Sequence, residues 1–148
     1  MTKTMNVPAT VRFRNKAHAA WLACLLGWLG MHAWYLGYRY AWAYTGFTVA
    51  MIASAQLYPV WWDSPPFLLL VIPITTGFIQ ALVYALMPDE TFDARFNPGA
   101  QSGNQSGWSA VLAAIFATLF GAIASMGWLA MIVMYVYIQM GWLDGYVL

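Results

Sequence analysis

Charged residues divide this chain into long apolar runs. None lies between Lys16 and Arg39, between Arg39 and Asp63, between Asp63 and Asp89, or between Arg95 and Asp144. At 1.5 Å per residue each run is long enough to cross a hydrocarbon core of about 30 Å. The pattern predicts four membrane-spanning helices, at residues 17–36, 41–61, 67–87 and 108–140. The first two form a tight hairpin and the last is unusually long. A transmembrane barrel is excluded, because the runs are continuously apolar and a barrel needs about eight alternating strands. The expected fold is an all-α integral membrane protein. It comprises a basic N-terminal segment (1–16), a helical hairpin (17–62), a third helix (63–87), a flexible loop (88–107) and a long fourth helix with a short tail (108–148).

Composition sharpens this reading. Of 148 residues, 62% are hydrophobic and 7% charged, too few charges to cover a water-soluble globule of this size. A net charge of +1 offers no basic surface for nucleic acid. The single cysteine, Cys24, rules out an intramolecular disulfide framework and is expected to be a small buried apolar residue. Ala41-Trp42-Ala43 has the A-x-A form of a signal-cleavage site, but the apolar stretch before it is too long and its approach too bulky, so no cleavage is expected there. Lys3, Arg12, Arg14 and Lys16 precede the first helix, and the longest loop carries Asp89, Glu90 and Asp93 against Arg95 alone. The positive-inside rule then predicts an inner-membrane protein with both termini cytoplasmic and the 38–40 turn and 88–107 loop outside. Arg12, Arg14 and Lys16 are the candidates for contact with an anionic membrane surface.

Residues 15–47 carry a more specific pattern. Lys16 precedes a helix rich in small residues. It is followed by Leu26-Gly27-Trp28-Leu29-Gly30, then His32, the triplet Tyr35-Leu36-Gly37 and an aromatic-rich helix. This segment resembles the TM-two domain family, in its bacterial, NINE-type branch. The resemblance implies a helical hairpin with a tight turn and no established chemistry. Members usually carry an Arg-Phe pair where this chain has Ala33-Trp34, so no role resting on that arginine transfers. Gly27, Gly30, His32, Tyr35 and Gly37 are the packing or interaction candidates of the hairpin. Trp34, Tyr38, Tyr40, Trp42 and Tyr44 read as an aromatic anchor at the interface.

The search for chemistry yields little. The middle of every predicted span lacks Asp, Glu, Lys and Arg, which argues against proton coupling. The polar side chains there include Gln56, Thr76 and Gln80, which would line a polar path if the chain formed a pore. His18 and His32, on one helix, would stand about 21 Å apart, too far to share an ion or haem. No nucleophile, base and metal set can be assembled, so no catalytic, cofactor or metal residues are expected. Asp89, Glu90 and Asp93 read as a solvated acidic face or docking surface. In the last helix Ala113, Ala117, Gly121 and Ser125 recur every fourth residue, a seam for a neighbouring helix of this chain or of a second copy. These features predict a non-catalytic accessory or assembly subunit whose partners are the lipid bilayer and another membrane protein or its own copies. The alternatives are a homo-oligomeric pore or small-solute carrier and an immunity-type membrane protein.

Overall fold

The computed structural model describes residues 13–100 and 103–145, and among them the chain is entirely helical, with no strand. The elements are α1 (Lys16–Leu26), a 3-10 turn (Gly27–Leu29), α2 (Met31–Leu36), α3 (Ala41–Ala55), a second 3-10 turn (Trp61–Asp63), α4 (Pro65–Leu68), α5 (Val71–Leu86), α6 (Asp89–Phe96) and α7 (Trp108–Gln139). Two helices are long and apolar enough to cross a membrane: the 22-residue run Pro65–Leu86, which takes in α4 and α5, and the 32-residue α7.

Four spans are not what forms. The first apolar run is not one helix. It breaks at Gly27–Gly30 and turns back, so that the hydroxyl of Tyr35 accepts a 2.7 Å hydrogen bond from the backbone N–H of Asn15. A continuous helix would separate these residues by about 30 Å. The break is built from glycine. Gly30 takes φ +77°, where a side chain is strained, and an added Cβ there would lie 2.6 Å from the Tyr44 ring. Gly27 sits against Gly77 of α5 so closely that a Cβ on it would meet the Gly77 Cα at 2.6 Å. Gly37, at φ +75°, ends α2, with the Tyr38 N–H returning to the Ala33 carbonyl at 2.9 Å. The segment 15–47 is thus a re-entrant pair, α1 and α2, followed by the first half of α3.

The second run is also shorter than its hydropathy suggests. α3 stops at Ala55, about 22 Å long, because the ring of Pro59 would clash with the Ala55 carbonyl if the helix continued. Ser64 then restarts the chain. Its hydroxyl donates to the Trp61 carbonyl at 2.7 Å and accepts from the Phe67 N–H, with Pro65 at the first helical position, which needs no N–H. Pro88 closes α5, whose last turn leads directly into α6.

α5 is the central element. It runs antiparallel to α1 on one side and to α7 on the other, and small residues allow the approach. Ala19, Ala20 and Ala23 of α1, Ala81 and Ala85 of α5 and Ala113 and Ala117 of α7 are all buried in one core with Tyr84, Phe92 and Phe96. Across the α5–α7 seam, a Cβ on Gly121 would touch Phe78 at 2.9 Å, and the hydroxyls of Ser125 and Thr75 are 3.2 Å apart. The small-residue seam of the last helix therefore faces this chain's own α5. α7 runs unbroken through Gly121 and Gly127, and Gly141 terminates it. Cys24 is buried beside the seam.

Gly27→Ala is expected to destabilise the protein by about 1–3 kcal/mol, the usual cost of overpacking where backbone meets backbone. The control Gly46→Ala, whose Cβ would enter open space, should be neutral or mildly stabilising. Thermal midpoints in detergent test this, and equal midpoints for the two variants would contradict the close α1–α5 approach.

Candidate functional site

The polar residues of this apolar chain gather at one end of the bundle. The residues preceding α1 run beside α6 and the segment after it, and the two are laced together. Lys16 is only 3% exposed, and its ammonium forms a 2.6 Å ion pair with Asp89. It also donates to the Met87 carbonyl at 2.8 Å and to the Ser106 hydroxyl. Three donors thus meet three acceptors, which is what a buried ammonium requires. Asp89 in turn accepts from the backbone N–H and hydroxyl of Ser106, each at 2.6 Å.

A second layer lies beside the first. Asn97, 3% exposed, accepts from the Arg14 N–H at 2.7 Å and donates to the Arg14 carbonyl at 2.9 Å and to Asp93 at 2.7 Å. Asn104 accepts from the Lys16 N–H at 2.8 Å and donates to Asp93 through its backbone and its amide. The Arg14 guanidinium reaches the Phe96 carbonyl at 2.9 Å and lies over Gly37, where a Cβ would come within 2.7 Å of it. Beneath this clasp, Phe92 and Phe96 pack on Tyr84 edge to face, and Tyr38 does the same on Phe96.

The clasp changes several expectations. The 88–107 segment does not lie across the bundle from the N-terminal residues: the Lys16–Asp89 pair puts both at one end. Nor is it simply a flexible tether, since it contains α6, and Asn97, Asn104 and Ser106 are held by side chains. Asp89 and Asp93 are engaged within the chain and do not form a free acidic face; Glu90 alone of the three is exposed. Lys16 is a buried structural cation and not a membrane-surface charge, and Arg14 is tied to the Asn97 and Phe96 positions. Arg12, with Lys3, lies outside the described residues.

Burial raises the carboxyl pKa of Asp89, but hydrogen bonds from Lys16 and Ser106 outweigh it and hold the group below the ordinary carboxylate value. The same balance holds Asp93 down, with Asn97 and Asn104 as donors opposing both burial and the neighbouring Asp89 charge.

Next to the clasp is a cavity of about 360 Å³ between α2, α3, α5 and α6. It is lined by His32, Tyr38, Tyr40, Tyr44, Thr76, Gln80 and Arg95, with Ala33 and Ala41. His32 is 3% exposed, its Nδ1 has no hydrogen-bond partner, and its ring meets Tyr44 edge to face at 5.8 Å. Two of the three polar-path residues, Thr76 and Gln80, are therefore brought together. Gln56 is not: it is exposed at the opposite end of α3, about 18 Å along the helix from Tyr44. Arg95 is the lining residue that sequence reasoning passed over. Its signal was a lone cation in an acidic segment, which pointed to the loop and not to a cavity. Comparison with protein-family models, with curated proteins and with solved structures returns no match.

A carboxyl whose folded pKa is depressed contributes stability above its unfolded value, and that contribution is lost as pH falls through the folded value. The thermal midpoint is therefore expected to hold level from neutrality to about pH 5 and to drop as pH is lowered through the carboxylate range. Asp89→Asn combined with Asp93→Asn should start lower and respond much less to acid. An equally acid-sensitive midpoint in that variant would assign the effect elsewhere.

Proposed function

We propose that this chain is a small, non-catalytic integral membrane protein that acts by packing against another membrane protein. The observation that carries the reading is the overhang of α7. Its 32 residues extend about 48 Å, against a hydrocarbon core of about 30 Å. Tilt alone would have to reach about 51° to hide that length, and spanning helices tilt by roughly 0–40°. By contrast, the 22 residues of Pro65–Leu86 extend about 33 Å, a fit for one crossing.

Among the described residues, the fully buried positions and side-chain hydrogen bonds of α7 lie in its first two thirds. Its last buried residue is Gly121, and Trp128 makes its last side-chain hydrogen bond, 3.1 Å to the Leu68 carbonyl. Beyond that point Leu129, Val133, Met134, Tyr137 and Ile138 are each between 43% and 55% exposed. An apolar strip of this length in water is unfavourable at about 25 cal/mol per Å². A partner's helix covering it relieves the cost. The TM-two resemblance of residues 15–47, which implies a helical hairpin with a tight turn, belongs to the same reading.

The charge distribution supports an orientation. Arg14, Lys16, Arg39 and Arg95 all stand at the clasp end, while the far end carries Asp63 and Asp144. By the positive-inside rule the clasp end is cytoplasmic and the 140–145 tail lies on the other face of a bacterial inner membrane. This replaces an arrangement in which both termini face the cytoplasm.

Native mass after extraction in mild detergent tests the functional reading. A stoichiometric complex with a second protein is expected, and it should be lost when Val133 and Tyr137 are both changed to Glu. A closed homo-oligomer would transfer the overhang to self-assembly and the pore reading. A monomer unaffected by the substitutions would overturn the proposal.

A further inference from the structure

The cavity between α2, α3, α5 and α6 has walls and a donor set that nothing in the fold requires. Nearby side-chain hydrogen bonds run from Tyr44 to the Pro73 carbonyl and between Thr75 and Ser125, which leaves Thr76 and Gln80 without protein partners among the described residues. Arg95 forms no ion pair among them either; its guanidinium carbon lies 5.4 Å from the centre of the Phe96 ring. A guanidinium, an amide and a hydroxyl, all able to donate, thus line one cavity whose other walls are tyrosine rings and alanines. His32 adds a buried nitrogen without a partner to the same lining.

The sign of the charge decides the ligand class. Three tyrosines on one cavity invite a cation–π site, but no carboxylate lines it and Arg95 would repel a cation. Of the acids nearest in sequence, Asp89 is paired with Lys16, Asp93 is turned into the clasp by amide donors and Glu90 is exposed; none of them lines the cavity. What remains is a positive, donor-rich opening over apolar walls, of a volume at the small end of ligand pockets, about 300–1,000 Å³. We propose that this cavity binds the oxyanion head of an amphiphile, a phosphodiester or carboxylate on Arg95, Gln80 and Thr76, with the first carbons of its tail against the tyrosine rings. The proposal is independent of what covers α7.

The test uses the full-length protein in non-ionic detergent, titrated with dioctanoyl phosphatidylglycerol, dioctanoyl phosphatidylcholine and glycerol phosphate and followed by native mass spectrometry. Phosphatidylglycerol is expected to bind saturably, and Arg95→Gln should weaken it about tenfold or more, the loss of one charge-assisted contact. Gln80→Leu should weaken it severalfold, and Gln56→Leu, exposed at the opposite end of α3, should leave it unchanged. Arg95 is exposed, so its variant should fold, and an unaltered melting midpoint verifies this. Glycerol phosphate binding as tightly as the lipid would uphold the oxyanion site and overturn the tail contact. Phosphatidylcholine carries the same phosphodiester beside a choline cation that Arg95 repels, so equal binding of the two lipids, or of phosphatidylglycerol to wild type and Arg95→Gln, would overturn the proposal.

Discussion

The buried ammonium of Lys16 is the constraint around which this molecule is arranged. A lone charge in an apolar bundle is costly, and breaking a buried pair by removing one partner costs about 3–5 kcal/mol, with the quarter-exposed Asp89 putting this pair toward the lower figure. The chain meets the requirement by bringing Asp89, Ser106 and the Met87 carbonyl to one point. Those three groups come from the end of α5, the start of α6 and the entry to α7. Satisfying one cation therefore fixes where the central helix ends and where the last begins. The small-residue seams do the rest: with Gly27 against Gly77 and Gly121 against Phe78, helices approach closely enough for dispersion forces to act, and the Thr75–Ser125 hydroxyl pair adds a polar contact across one of them.

The re-entrant pair follows from the same constraint. Lys16 has to remain at the clasp, and Tyr35 has to return there to accept from Asn15, so the intervening residues descend and come back. The turn at Gly27–Gly30 lies about halfway into the bundle and gives α3 its foothold. Thr45 and Thr48 donate to the carbonyls of Leu29 and Trp28 that the break leaves without helical partners, at 2.8 and 2.7 Å. Backbone polar groups freed inside an apolar bundle are thus satisfied by hydroxyls from the next helix, the condition under which such a break is tolerated at membrane depth.

Much of this was legible in the sequence, for identifiable reasons. The all-helical class and the length of α7 follow from charge-free runs, and the fourfold spacing of Ala113, Ala117, Gly121 and Ser125 announces a packing seam. The first run was misread because hydropathy measures length and apolarity, and glycines are common within spanning helices. The Asn15–Tyr35 bond and the Arg14 guanidinium over Gly37, each close in space between residues far apart in sequence, distinguish a folded pair from a straight span. The clasp was hidden for a related reason. Lys16 and Asp89 each read correctly as end-of-helix charges, but sorting them to opposite ends rested on taking 17–36 as one straight helix, and that run is folded back on itself. The cavity lies between α2, α3, α5 and α6; the fourfold spacing of Thr76 and Gln80 puts them on one face of α5, but no local spacing brings Arg95 to them.

The central claim is that the first apolar run enters the bundle and returns without crossing. Single cysteines in a Cys24→Ala background, at Phe13 before α1, at Ala100 after α6 and at Gly145 after α7, address it directly through labelling with an impermeant thiol reagent. Phe13→Cys and Ala100→Cys should react only when the cytoplasmic face is opened, and Gly145→Cys from the outer face of intact cells. Reaction of Phe13→Cys and Ala100→Cys from opposite faces would mean that an odd number of crossings separates them, and the re-entrant account would be wrong.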